Sequence, residues 1–147
     1  MSNVTPSTQQ RTTVWSVLDA AMVESPDGGM RDSVILTDTT CGAPDMAGGM
    51  VWVKGHSEIH EDTHPFSETY YVVSGQATLI AADVTTEMKT GDVVFIPRGI
   101  RHRIDNPHDE TFQIFWLIAT RWSDLHETVA ELGTWREVDQ RSGWHVA

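Results

Sequence analysis

The chain of 147 residues has little of three things: cysteine, positive charge and long apolar runs. Its single cysteine, Cys41, excludes an internal disulfide framework and a zinc site built from several thiolates. Ten basic residues against twenty-one acidic ones give a formal charge of −11, which disfavours binding to nucleic acid or to an anionic membrane surface. No apolar run approaches the roughly 20 residues that cross a bilayer.

The length suits one domain with flanking segments, and the composition predicts three regions. Residues 1–32 are predicted to form a polar arm followed by a strand or a short helix, residues 33–120 a β-rich domain, and residues 121–147 a helix and tail. The polar N-terminus lacks the apolar segment of a secretion signal, so a cytoplasmic location is expected.

Both flanking regions carry apolar residues. Residues 14–23 match helical spacing but also contain a strand-like VWSV, so either structure is open. Ser123 is a suitable N-cap for a helix over 123–132, and Gly133 suits the position after it. The tail carries Trp135 and Trp144, which we expect to pack against the domain.

The middle of the chain consists of short apolar or alternating segments separated by Gly-, Pro- and Asp-rich turns. Several strands at such short intervals predict an antiparallel sandwich or barrel of six to ten strands. The predicted strands include residues 33–37, 50–55, 68–74, 76–82, 92–96, 100–104 and 111–120.

Residues 56–68 concentrate imidazoles and carboxylates just before an apolar strand. In an extended chain His60, Asp62 and His64 share one face, and Glu68 begins the next strand. Such a set is expensive to bury without a partner, and a divalent cation would supply one. The alternative is a solvated polar loop.

A second stretch places one imidazole among apolar neighbours. His102 alternates with Ile100 and Ile104, so it is either a satisfied core histidine or a ligand that reaches the first cluster from another strand.

The second stretch resembles the second sequence motif of the cupin superfamily, G-x5-P-x-G-x2-H-x3-N. All five fixed positions match, as Gly91, Pro97, Gly99, His102 and Asn106. The resemblance extends over residues 33–120 and implies an all-β double-stranded β-helix, or jelly-roll barrel, with short flanking helices.

The first stretch resembles the first cupin motif with two departures. His64, Glu68 and Gly75 fall in place, but Asp62 replaces the family's first histidine and Gly55 is displaced by one position. The resemblance implies one divalent metal ion held by His64, Glu68 and His102, with Asp62 as fourth ligand. Two alternatives stay open: a three-ligand site without Asp62, or His60 as substitute ligand or as a partner that orients Asp62.

Two hairpins would place further side chains around this metal. A turn at Asn106 to Asp109 would pair residues near His102 and Ile114, and a turn at Ser74-Gly75 would pair residues 68–70 with 79–81. The predicted substrate pocket comprises Trp52, Tyr70, Leu79, Phe112, Ile114 and Trp116. Tyr70 is also the candidate proton donor, although a packed strand tyrosine is the preferred explanation.

Two histidines and one or two carboxylates suit Fe(II) or Mn(II), with Zn(II) or Ni(II) as alternatives. The expected function is that of a metal-dependent enzyme acting on a small molecule, with a non-haem iron oxygenase slightly preferred to a non-redox isomerase, cyclase or lyase such as a polyketide tailoring protein. A non-catalytic ligand-binding protein is the remaining alternative. The spare apolar segments at both ends predict a homodimer, with no nucleic-acid or membrane partner.

Overall fold

The computed structural model describes residues 12–139, which form eleven strands and three short helices. The strands are β1 (Met22–Glu24), β2 (Met30–Leu36), β3 (Ala47–Val53), β4 (Ser57–Asp62), β5 (Glu68–Ser74), β6 (Gln76–Ala81), β7 (Val84–Lys89), β8 (Val93–Ile96), β9 (His102–Asn106), β10 (Phe112–Ile118) and β11 (Arg136–Val138). The helices are two 3₁₀ turns, Val17–Asp19 and Trp122–Asp124, and α1 (His126–Leu132). Within residues 12–139 no helix is long and apolar enough to span a membrane.

The strands form two antiparallel sheets that face each other. The larger has the order β11-β1-β2-β3-β10-β5-β8, and the smaller has the order β4-β9-β6-β7. Apolar side chains from both sheets form the main core, with Val72, Ile104, Phe112 and Ile114 almost completely buried. The predicted all-β class with short flanking helices is therefore confirmed.

A second, smaller core lies on the outer face of the seven-stranded sheet. Trp52 and Met50 alternate with inward-facing neighbours on β3, so they project away from the main core and pack with Met22 and Ile35. Val17 and Val138 pack against the same cluster from the flanking segments. The flanking segments thus extend and cover the sheet: β1 and β11 lie outside residues 33–120 but pair with each other beside β2.

Both predicted hairpins are wrong, because the chain changes sheet at each of these turns. β5 pairs with β8 and β10, whereas β6 pairs with β7 and β9. Likewise β9 lies in the four-stranded sheet and β10 in the seven-stranded one. Gly75 makes the first crossing at φ +82°, where a Cβ would lie 2.6 Å from the Thr111 carbonyl oxygen. Alternation therefore predicted the inward face of β5 and β10, but neither the face of Trp52 nor the neighbours across the strands.

The flanking segments also differ from the sequence predictions. Residues 14–23 form neither a strand at VWSV nor a regular α-helix: a 3₁₀ turn lies at Val17–Asp19, and strand β1 begins at Met22. The C-terminal helix begins at His126, because the Ser123 hydroxyl donates to Asp38 Oδ2 (2.6 Å) and does not cap the helix. Gly133 does follow its last residue. Trp144 and the first eleven residues lie outside the described part of the chain.

Candidate functional site

His102 is the most firmly held of the predicted site residues. It is the first residue of β9, directly after a turn in which Gly99 takes φ +80°. Its Nδ1 lies 2.8 Å from the Ile100 carbonyl oxygen, to which only an N–H can donate. Nδ1 therefore carries the proton in the neutral ring, and the lone pair of Nε2 faces Glu68, whose Oε2 lies 3.2 Å away. The ring is 5% exposed.

His64 reaches the same carboxylate from the segment between β4 and β5. Its Nε2 lies 3.5 Å from Glu68 Oε2, and its ring stacks on Phe66 with centroids 4.8 Å apart. The Gly99 N–H donates to the His64 carbonyl oxygen at 2.7 Å, which joins the two predicted motifs through the backbone. One donor atom from each of His64, Glu68 and His102 lies within 4.8 Å of the other two.

The charges of this cluster depend on each other. Burial alone would raise the pKa of Glu68, but contacts with His102 and His64 outweigh it and lower the pKa. Burial alone would lower the pKa of His102, but the contact with Glu68 and the hydrogen bond to Ile100 raise it. The carboxylate is therefore ionised at neutral pH and attracts positive charge.

The cluster fits a divalent metal ion. Glu68 Oε2 is buried and has no hydrogen-bond partner of regular geometry among residues 12–139. An ionised oxygen therefore faces the two imidazoles without a full set of partners. Two imidazole nitrogens and one carboxylate are donors that Fe(II), Mn(II) and Zn(II) accept.

Asp62 and His60 lie at the rim of the cluster rather than in it. Asp62 has its side chain 65% exposed, with Oδ2 3.8 Å from His64 Nδ1 and Oδ1 accepting from the Thr63 N–H. His60 is 78% exposed and lies 3.3 Å from Glu58. Both face the cavity beside the cluster, and the coordination of either remains a prediction.

Tyr70 projects into the cavity two residues after Glu68. Burial, followed by the negative charge of Glu68, raises the pKa of the Tyr70 hydroxyl well above its ordinary value. The phenol therefore keeps its proton at neutral pH and is available as a hydrogen-bond donor. Tyr70 thus lies in the cavity wall, and its catalytic role remains a prediction.

The cluster opens into a cavity of about 410 Å³, a size that suits a small organic ligand. Tyr70, Ile114 and Trp116 line it as the sequence predicted. The other three predicted pocket residues do not. Leu79 and Phe112 belong to the main core, and Trp52 lies on the opposite face of its sheet.

The C-terminal segment forms a wall of the cavity that the sequence did not predict. Trp122 lies 6.0 Å from Trp116, measured between ring centroids, and α1 adds Thr128 and Leu132. Asp38 holds the beginning of this wall, since it accepts hydrogen bonds from Ser123 and Arg121. The number of aromatic residues after position 115 was the available signal, but their placement depends on this tertiary contact.

Asp32 is a buried acidic residue of the cavity that sequence reasoning missed. The predicted strand began at Ser33, whereas β2 begins at Met30, so Asp32 shares the inward face of that strand with Val34. A carboxylate flanking an apolar strand was the signal that could have identified it.

Comparison with known proteins assigns the fold to a family. A cupin domain model matches residues 49–118, which span β3 to β10 and contain all three residues of the cluster. Residues 49–118 therefore form a cupin domain, and the two-sheet jelly roll around them is the fold of structural neighbours that are described as cupins.

Three of the similar proteins come from Streptomyces species. Protein SchB of Streptomyces halstedii is 37% identical over 76 residues, covering 51% of this chain and 55% of that protein. The tetracenomycin polyketide synthase protein TcmJ of Streptomyces glaucescens is 29% identical over 91 residues, covering 58% and 61%. The polyketide cyclase RemF of Streptomyces resistomycificus has a TM-score of 0.65 at 21% identity, covering 74% and 80%. The chain thus spans little more than half the length of the two curated relatives.

Proposed function

We propose that this protein is a metal-dependent enzyme that cyclises or isomerises an aromatic, polyketide-like small molecule inside the barrel without consuming oxygen. The observation that carries the proposal is the cluster of His64, Glu68 and His102 on the wall of a cavity of about 410 Å³. Three protein donors leave coordination positions for a substrate oxygen.

A divalent ion held there would act as a Lewis acid that polarises a substrate carbonyl. The chain's own residues would then position and protonate the substrate. Tyr70, which keeps its proton beside Glu68, would donate to an oxygen that gains negative charge. Trp116, Trp122 and Phe66 would hold a planar ring system and exclude water.

The names of the relatives support this substrate class. TcmJ is described as a polyketide synthase protein and RemF as a polyketide cyclase. RemF is similar at the level of the fold, and TcmJ over part of its length, so the reaction of this chain remains a proposal.

Oxygenation is the second candidate, and the donor set favours it. Two histidines and one carboxylate with open positions are the ligand set of many non-haem iron oxygenases. Sequence reasoning slightly favoured this reaction class. The similarity to polyketide-associated proteins favours the non-redox reaction instead.

Metal analysis combined with turnover distinguishes the two reactions. The purified protein is stripped of metal, reloaded separately with Fe(II), Mn(II), Zn(II) or Ni(II), and incubated with a panel of linear and partly cyclised aromatic polyketide intermediates. Oxygen uptake is recorded while products are identified by mass. We expect turnover with a redox-inactive ion, giving a product that is isomeric with the substrate or lacks one water.

Matched variants connect the result to the site. His102→Ala should abolish turnover, whereas His108→Ala, which removes a half-exposed imidazole paired with Glu87, should leave it unchanged. Iron-specific turnover with stoichiometric oxygen consumption would replace the proposal by the oxygenase. Ligand binding by every metal form without turnover would make the protein a binding module.

A further inference from the structure

The cavity contains a second polar site formed by Asp32 and Trp116. Asp32 is 9% exposed and lines the cavity, and its Oδ1 has no hydrogen-bond partner among residues 12–139. The indole nitrogen of Trp116, also in the cavity wall, lacks one as well. Buried polar atoms without partners are uncommon and costly in folded proteins.

The backbone places these two groups together on the inner face of the seven-stranded sheet. Asp32 on β2 pairs in register with Val51 on β3, and Trp116 on β10 pairs with Gly49, two residues earlier on β3. Gly49 lets the indole lie over β3 toward β2, because a Cβ there would be 2.9 Å from Trp116 Cζ2. Trp116 is near enough to affect the carboxyl: burial raises the pKa of Asp32 to about 7, while the indole N–H partly opposes the rise.

The Asp32 carboxyl and the indole N–H lie close to each other but form no hydrogen bond of regular geometry within residues 12–139, so a group that both donates and accepts a hydrogen bond would satisfy both. A hydroxyl does so, since its hydrogen can bond to a carboxyl oxygen while its own oxygen accepts from an indole N–H. The surrounding wall specifies what carries this hydroxyl. Phe66, Tyr70 and Trp122 line the same cavity, so an aromatic ring fits better than an aliphatic alcohol.

We propose that Asp32 and Trp116 form a subsite for a phenolic hydroxyl of the ligand, which donates to Asp32 and accepts from the indole N–H. The choice of an aromatic ligand rests on the proposed function, but binding at the subsite requires neither the metal ion nor turnover. This subsite would orient a planar substrate. It would hold one hydroxyl oxygen of the ligand while a different oxygen of the same molecule reaches the cluster of His64, Glu68 and His102.

Equilibrium dialysis with 2-naphthol and naphthalene tests the subsite. We expect the protein to bind 2-naphthol about tenfold or more tightly than naphthalene, because only the hydroxyl satisfies both buried groups. The preference should persist after treatment with a chelator, and this separates it from coordination of the phenol by a metal ion.

Three variants assign the preference to these residues. Asp32→Leu should reduce the ratio of the two affinities to about one, and Trp116→Phe should reduce it by several-fold. Asp32→Asn retains both an acceptor and a donor and should keep most of the preference for 2-naphthol. If it does, the loss of the preference in Asp32→Leu is not caused by a general sensitivity of the fold to substitution at this position. Asp105→Asn is the matched control, since Asp105 also has a buried oxygen without a partner but does not line the cavity.

Several results would overturn the subsite. It fails if the wild-type protein does not prefer 2-naphthol, if Asp32→Leu keeps the preference, or if the preference disappears on chelation. Failure of the proposed function looks different: the subsite would bind 2-naphthol as expected while no metal form turned over a substrate.

Discussion

Asp62 and His102 are paired in register on neighbouring strands at the edge of the cavity, yet their side chains differ sharply. The His102 ring is buried, and the Ile100 carbonyl fixes which nitrogen faces Glu68. The Asp62 carboxylate is mostly exposed, and one oxygen accepts from the next residue's own backbone N–H. Pairing in register alone therefore does not determine whether a side chain is buried or in which direction it points. A preorganised donor also needs a partner that sets its direction.

The same contrast separates the two sequence motifs. The second motif is complete and builds a turn and strand that hold one imidazole. The first departs from the family pattern at Asp62, and the segment there forms the more exposed side of the site. We infer a metal site with three protein donors, in which Asp62 orients His64 from outside.

Removal of a buried donor should have the largest effect. We expect His102→Ala to weaken metal binding by about 100-fold or more, since loss of even an outer partner costs about 10- to 100-fold. Metal content after dialysis against a competing chelator measures the change. In the wild-type protein, the affinity for the metal ion should fall as pH drops below about 6, because protons compete for the imidazoles. The raised pKa of His102 means that this competition begins at a higher pH. Full metal occupancy in His102→Ala would contradict the assignment.

Asp32→Asn should have the next largest effect, on stability rather than on the metal. Burial raises the pKa of the Asp32 carboxyl in the folded protein to about 7, well above its ordinary value in an unfolded chain, so protonation favours the folded protein. The contribution of the protonated carboxyl to the free energy of unfolding is fully present below about pH 4, and it is lost as pH rises to about 7. About three pKa units correspond to a few kcal/mol.

Asp32→Asn has no carboxyl that ionises at this position. Its Tm should therefore be close to that of the wild type near pH 4 and higher by roughly 5–15 °C near pH 8. Thermal unfolding at a series of pH values measures this. Asp105→Asn is again the control. A stability difference that is independent of pH would show that the ionisation of Asp32 is not its cause.

Substitution of the exposed Asp62 should weaken metal binding less than substitution of the buried His102. We expect Asp62→Asn to weaken metal binding by about tenfold, because the carboxylate lies 3.8 Å from His64 Nδ1 and would orient that ring. Asp83→Asn, which removes an exposed carboxylate paired with Arg101, is the matched control. A loss as large as that of His102→Ala would instead make Asp62 the fourth ligand.

The sequence predicted the strands and the inward faces better than it predicted neighbours. Alternation placed Tyr70, Ile114 and Trp116 correctly, because the direction of a side chain in a strand depends on local geometry. It could not show that Gly75 carries the chain into the other sheet, since that depends on contacts with residues far along the chain. Trp122 was missed for the same reason, since it becomes a cavity residue through tertiary packing. Asp32 was missed because the predicted strand began at Ser33, one residue too late.

The homodimer stays a prediction. Tyr71, Val93 and Phe95 are exposed on the outer face of the seven-stranded sheet, near its β8 edge, and Val14 and Leu18 are exposed near the N-terminal end of the described chain. A second copy would cover such surfaces. Light scattering at micromolar concentration should give about twice the chain mass of 16.4 kDa, and a value near 16.4 kDa would refute the dimer.

His60 should have the smallest effect of the residues near the metal. Its side chain is 78% exposed, and its nearest charged partner is Glu58 at 3.3 Å. Substitutions of such exposed side chains usually change free energies by less than about 0.5 kcal/mol, so His60→Gln should change metal affinity by no more than about twofold. The chelator competition used for His102→Ala measures it under identical conditions. If His60→Gln instead strips the metal, the segment before β5 must rearrange on binding so that His60 replaces Asp62 or His64, and the three-donor site would be wrong.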